Sequence, residues 1–156
     1  DDNAGTLHDK LMTEGARLVA ESVNAVAADG FRPEPQAMKE ELKPAPKIFK
    51  ETCHIDWTRN ARDIHNLVRG LSPYPAAWCE IVSPDNDIKT IKIFTTAVTD
   101  DNASAEPGTI KSDNHRMLIA CGDKWLEVLS LQLSGKRRMD TAEFLRGFNP
   151  AAYKAQ

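Results

Sequence analysis

The sequence predicts an α+β fold that is mainly β: a small open barrel of five or six short strands with flanking helices, preceded by a long N-terminal helix. Two patterns and the turn between them carry this prediction. Over residues 6–29, Leu7, Leu11, Leu18, Val19, Val23 and Val26 recur at separations of three, four and seven, which puts them on one stripe of a helix. Beyond residue 76 the apolar residues alternate in twos and are rich in β-branched types. Turn signals interrupt them about every ten residues, as in small barrels rather than βαβ units. Between the two regions Ser72-Pro73-Tyr74-Pro75 forms a double-proline turn that fixes the direction of the chain.

Each element follows from local chemistry. Thr6 and Asp9 have the spacing of a capping box, Asn3 is a rival cap, and Gly30 after Asp29 is a left-handed helix stop. One face of this helix is apolar, so it needs a surface to pack on. Pro33, Pro35, Pro44 and Pro46, with Lys39, Glu40, Glu41 and Lys43 between the pairs, turn residues 31–47 into a linker or strap. A second helix is expected over 58–70, capped by Thr58 and ended by Gly70, with Ala61, Ile64, Leu67, Val68 and Leu71 as its buried stripe. Strands are expected at 77–82, 89–98, 108–112, 115–121 and 124–132. The turns between them are signalled by Pro84-Asp85-Asn86, Pro107-Gly108, Asp113-Asn114 and Gly122-Asp123. A last helix, 140–147, starts at Asp140 or Thr141 and presents Phe144, Leu145 and Phe148.

Composition and motifs exclude more chemistry than they suggest. No apolar run reaches the ~18 residues of a membrane span. Cys53, Cys79 and Cys121 are widely spaced with no CxxC pair, so buried unpaired thiols in a reducing, cytoplasmic setting are expected. Neither His-Glu-x-x-His nor a close cysteine pair accompanies His8, His54, His65 and His115, and no metal site is expected. His65 sits one position off the second helix's stripe and reads as a hydrogen-bonded helix-face residue. Cys53 and His54, as neighbours, point to opposite sides of an extended chain. Phosphate-cradling glycine loops and a Gly-x-Ser-x-Gly nucleophile elbow are absent, and carboxylate pairs such as Asp100-Asp101 fall in turns. No catalytic residue is assigned.

The charge distribution points instead to an anionic partner. Net charge is −3, but residues 1–44 carry −4 and residues 45–156 carry +1. A basic face can therefore sit on the second part alone. Lys136, Arg137 and Arg138 follow a strand directly, Lys47 and Lys50 lie at the exit of the strap, and Lys111 and Arg116 flank another turn. Such clusters suit phosphate contacts, and small barrels often hold nucleic-acid backbones.

Longer motifs carry a resemblance. Ile55-Asp56-Trp57-Thr58, Ile64-His65-Asn66-Leu67-Val68-Arg69-Gly70-Leu71 and Pro73-Tyr74-Pro75-Ala76-Ala77-Trp78 closely resemble the carboxy-terminal domain of the methionyl-tRNA formyltransferase family. The similarity extends to Ala45-Pro46-Lys47-Ile48, Lys50-Glu51, Pro107-Gly108-Thr109-Ile110, Leu129-Ser130-Leu131-Gln132 and Gly135-Lys136-Arg137-Arg138-Met139. Ala4 to Leu11 resembles the final helix of that family's catalytic domain. Tyr74 and Ala76 depart from the family's usual Trp and Gly.

The resemblance implies an OB-like barrel over 49–156 that helps hold initiator tRNA. It implies a linker over 32–48, and over 1–31 the terminal helix of a truncated Rossmann-like catalytic domain. It also implies that the full-length enzyme moves a formyl group from 10-formyltetrahydrofolate to the methionine amine of Met-tRNA. The family's catalytic Asn, His and Asp lie in the preceding domain, with the His in His-x-Ser-x-Leu-Pro. That motif is missing here, so this chain is expected to be inactive alone and to hold no cofactor. Two rivals stand beside this: a related formyltransferase or formyltetrahydrofolate-processing enzyme with no tRNA role, and a purely structural buttress. A first helix deprived of its sheet is expected to form a homodimer through its exposed stripe, or to dock on a non-native surface.

Overall fold

The computed structural model describes residues 2–28, 31–35, 37 and 42–156. Helix α1 runs Ala4–Ala27 and no residue in it is buried. Its cap is Asn3: the side-chain oxygen accepts from the Thr6 amide, and the Thr6 hydroxyl accepts from the Asn3 amide. Thr6 is thus the third helical residue of the box and not its start: Asn3 reaches forward to the Thr6 amide and Thr6 reaches back to the Asn3 amide across a single turn. The stop expected at Gly30 lies outside the described residues, and Ala28 is the C-cap.

Among the described residues, α1 is fastened to the body at its first turn. The Gly5 amide donates to the Ser72 carbonyl at 3.0 Å, and Arg69 donates to the Asp2 carbonyl at 3.0 Å. Gly5 lies so close to Pro73 that an added Cβ would come within 2.6 Å of the proline ring. From there the helix extends about 36 Å at 1.5 Å per residue, with Leu7, Leu11, Leu18, Val19, Val23 and Val26 all exposed. Docking of this stripe on another part of the chain is not seen among the described residues. Residues 31–35, 37 and 42–49, the described part of the strap and the two residues after it, carry no regular secondary structure.

The body begins with a single 3-10 turn, Glu51–Cys53, and helix α2, Ala61–Leu71. Asn60, not Thr58, caps α2: its side chain accepts from the Asp63 amide at 2.8 Å. The Thr58 hydroxyl is spent on Asp56 at 2.6 Å. Gly70 lies inside the helix, which ends at Ser72 in extended backbone and not in a left-handed stop. Ala61, Ile64, Val68 and Leu71 are buried as the stripe predicts, while Leu67 is only partly covered.

Seven strands make one antiparallel sheet: β1 Ala77–Val82, β2 Ile88–Asn102, β3 Ile110–Ser112, β4 Met117–Ala120, β5 Lys124–Leu133, β6 Met139–Asp140 and β7 Lys154–Ala155. The order is β3-β4-β5-β2-β1-β7, with β6 paired to β5. β6 and β7 are two-residue strands, too short to show a period in the sequence. The end strands approach each other where Thr109 bridges Lys154 and the Ala155 amide donates to the Gly108 carbonyl at 2.8 Å. Gly108 has φ +84, and a Cβ there would collide with the Ala155 carbonyl, so near-closure depends on glycine.

The result is the open, OB-like barrel the sequence predicts, with α2 and the short helix α3, Thr141–Gly147, at its flanks. Ile81, Ile91, Ile93, Met117, Ile119, Leu126 and Leu131 are fully buried in one core together with Ile55, Ile64 and Val68 of the α2 region. Burying such side chains is worth about 1.5–3 kcal/mol each. All three cysteines are free and buried. Burial pushes the Cys79 and Cys121 thiols up to about 12, which leaves them inert.

Candidate nucleic-acid interface

Strand register decides which of the predicted cations share a surface. In antiparallel pairing, directly opposed residues point to the same face of a sheet. Trp78 on β1 opposes Lys92 on β2, and Lys92 opposes Gln132 on β5. Their neighbours Cys79, Ile91, Ile93 and Leu131 face the core, so the row Trp78–Lys92–Gln132 lies on the outside. Ser130, two residues before Gln132, is on the same outer face and accepts from Arg138 Nε at 2.9 Å. The two basic segments furthest apart in sequence thus sit at the two ends of one row across β1, β2 and β5.

At one end, Trp78 Nε1 donates to the Lys50 carbonyl at 3.0 Å. The Lys50 ammonium stands 5.0 Å from the Trp78 ring centroid, and Lys47 stands 5.4 Å from that of Phe49. At the other end, Gln132 Nε2 donates to the Lys136 carbonyl at 2.7 Å and anchors the loop that carries the three cations. That loop turns at Gly135, where φ is +76. Arg138 also lies over the Phe94 ring at 4.4 Å and reaches Thr95 Oγ1 at 3.5 Å. Beside it Arg137 pairs with Glu143 at 2.5 Å. Arg137, Arg138, Ser130 and Thr95 border an open hollow of about 450 Å³.

Lys111 and Arg116 are elsewhere, on β3 and just before β4. Lys111 stands 4.0 Å from the Trp125 ring centroid. Arg116 makes a bidentate pair with Glu127 at 2.8 and 2.9 Å, and this holds the Glu127 carboxyl below its ordinary value. Its charge is already answered within the fold. The seven predicted contacts therefore divide into five along one outer row and two at the opposite end of the sheet.

Three further cations were not singled out from the sequence. Lys92 joins the two ends of the row; it is the exposed member of Ile91-Lys92-Ile93, and alternation alone shows that it faces outward. What alternation cannot show is that Trp78 and Gln132 are its neighbours. Arg69 on α2 borders the adjoining hollow, where Phe94 and Thr95 meet His65 and Asn3, and Arg62 lies on the same helix three residues before His65. His65 Nδ1 lies 2.9 Å from Thr96 Oγ1, the hydrogen-bonded helix-face role expected of it. Burial, then the charges of Arg62 and Arg69, lower its pKa. A helical stripe analysis assigns both arginines to solvent and gives no hint of this arrangement.

Exposed cations backed by hydroxyls and aromatic faces can bind phosphate oxygens and support stacked rings. Among the described residues no group of His, Cys, Asp and Glu could hold a metal ion. No helix among them is long and apolar enough to cross a membrane.

Comparison with known proteins agrees with this architecture. Residues 47–149 match the family described as "Formyl transferase, C-terminal domain". The chain is similar to proteins named methionyl-tRNA formyltransferase: 46% identical over 151 residues in Bacteroides thetaiotaomicron, covering 94% of this chain and 47% of that protein. In Flavobacterium johnsoniae the identity is 40% over 146 residues, covering 94% of the chain and 46% of the relative. The chain spans about half the length of the curated relatives it matches. Among solved structures, HypX from Aquifex aeolicus is similar at TM-score 0.57 and 19% identity, covering 84% of this chain and 23% of that one, a likeness of fold.

Proposed function

The chain belongs to the formyl transferase family through its C-terminal domain, and from that premise we propose that it is the tRNA-gripping part of a methionyl-tRNA formyltransferase. In this reading the full-length enzyme moves a formyl group from 10-formyltetrahydrofolate to the methionine amine of initiator Met-tRNA in the cytoplasm, for translation initiation. The folate and the bond-making groups belong to the part of the enzyme that precedes this chain. The names carried by the relatives support the reaction. The observation that carries the tRNA role is the outer row in which Lys92 connects Lys47 and Lys50 with Lys136 and Arg138.

The role of that row is positional. Phosphate contacts hold the tRNA body while its acylated end reaches a distant reaction centre. Lys50, Lys92, Lys136 and Arg138 supply the contacts. Arg137 joins them by exchanging Glu143 for a phosphate, whereas Arg116 stays with Glu127 and Lys111 contributes least. α1 fits the same reading: its stripe covers part of the catalytic domain in the full-length enzyme and drives a homodimer when the chain is alone.

The test is the salt dependence of initiator-tRNA binding to the chain and to Lys92→Ala/Lys136→Ala/Arg138→Ala. Each lost duplex phosphate contact flattens the log–log slope by about 0.9. The triple variant should bind more weakly with a slope lower by about 2 to 3, while Lys111→Ala/Arg116→Ala keeps both. Unchanged affinity and slope in the first variant would remove the tRNA role and leave a folate-processing or buttressing domain.

A further inference from the structure

Where the strap enters the body, a cleft of about 360 Å³ opens between Ile48, Phe49 and Lys50 on one side and Tyr74, Trp78 and Lys92 on the other. Its volume is within the range of small-molecule sites, roughly 300–1,000 Å³. Its walls are aromatic and open to water: Tyr74 is 85% exposed and Phe49 57%, whereas Trp57 and Trp125 are each 4% exposed in the core. Rings left this exposed add little to the stability of the body. They are also set among cations. Lys50 stands over Trp78, Lys47 over Phe49, and Lys92 Nζ lies 3.4 Å from the Pro75 carbonyl. None of the three lysines makes an ion pair with another described residue.

We propose that this cleft seats an unpaired nucleotide of a bound RNA, its base stacked on Tyr74 and Phe49 and its phosphate held by Lys50 and Lys92. The proposal rests on the tRNA reading above and adds a subsite to it. Every base presents a π face, and ring stacking next to a cationic track is the chemistry by which proteins hold single strands. An aliphatic protein segment would use the rings but leave three ammonium groups unanswered. A paired duplex on the row would answer the charges but offer no free base to the rings. An unpaired nucleotide at the edge of a duplex satisfies both. Lys92 belongs to the row and to the cleft, so the backbone that follows the row reaches the cleft without a gap in charge.

The 156-residue chain is titrated with a fully paired RNA hairpin and with the same hairpin carrying a short single-stranded 3′ tail that contains 2-aminopurine. The tailed hairpin should bind on the order of tenfold more tightly, with a change in 2-aminopurine fluorescence. Tyr74→Ala and Phe49→Ala, both at exposed rings, should each abolish most of that advantage and leave the blunt hairpin's affinity and salt slope intact. Tyr74→Trp should preserve it. Equal binding of the two hairpins, or a tail advantage that survives both alanine variants, overturns the subsite while the row stands. Alanine variants that lower the molar mass in light scattering without touching RNA binding assign the cleft to a protein contact and also overturn it. Failure of both hairpins to bind at low salt overturns the tRNA reading itself.

Discussion

Helices α1 and α2 are both amphipathic, and both begin at an asparagine cap. Their surroundings are opposite. The stripe of α2, from Ala61 to Leu71, closes the core of the barrel and is almost fully buried, whereas the longer stripe of α1 is exposed along its length. The difference shows what a helical period means: it states a demand for a partner and does not name one. α2 finds its partner nearby in the chain because, after the Ser72–Pro75 turn, β1 leads into the antiparallel β2, which packs against it. Among the described residues, α1 is held through Gly5, Asp2 and their contacts with residues 69–73.

The sharpest test of that contrast is large-to-small substitution on each stripe. Ile64→Ala should cost about 2–5 kcal/mol in urea unfolding, because the cavity lies in a packed core. Leu11→Ala should stay within about 0.5 kcal/mol at dilutions that keep the chain monomeric. A comparable loss at Leu11 under those conditions would mean that α1 packs on its own chain. A second test concerns that burial directly. The chain should self-associate in light scattering, and Leu11→Glu/Leu18→Glu should restore the monomer mass without lowering the melting temperature of the body. A wild-type chain that is monomeric at all accessible concentrations would break the link between the exposed stripe and dimerisation.

The smallest expected effect is on pH dependence. His65 on α2 is partly buried, and its pKa in the fold lies below the ordinary value of 6.5. The unfolded chain therefore takes up the proton more readily. The stabilisation is complete above pH 6.5 and fades as pH falls through 6.5 toward the lower folded value. His65→Gln, which keeps a partner for Thr96, should flatten stability against pH in that window. An unchanged profile would place the acid sensitivity elsewhere.

A similar division separates the two groups of cations. The basic runs at 47–50 and 136–138 and the pair Lys111 and Arg116 look alike as sequence. The first two flank one outer row, while Arg116 is matched by Glu127 and Lys111 rests on Trp125. The reason is register: Leu118 opposes both Lys111 and Glu127, which sets those side chains on one face at the far end of the sheet. Tyr74 and Phe49 were equally hard to value. Tyr74 reads as part of a packing turn and nothing in the sequence marks Phe49, and only their shared cleft reveals them as exposed rings.

By itself the sequence determined the long first helix, the buried face of α2, the five longer strands and the three inert thiols. These rest on short-range periods and on burial that each segment announces. It also determined that five basic residues would cluster in two loops. The tertiary structure alone decided that those loops meet across Lys92, that Asn60 displaces Thr58 as a cap, that β6 and β7 exist, and that the stripe of α1 stays uncovered. The physical reason is one of range. Propensity and hydrophobic period act over a few residues along the chain, whereas register, the start of α2, where the Ala61 amide donates to Asp123, and the filling of a surface depend on segments dozens of residues away.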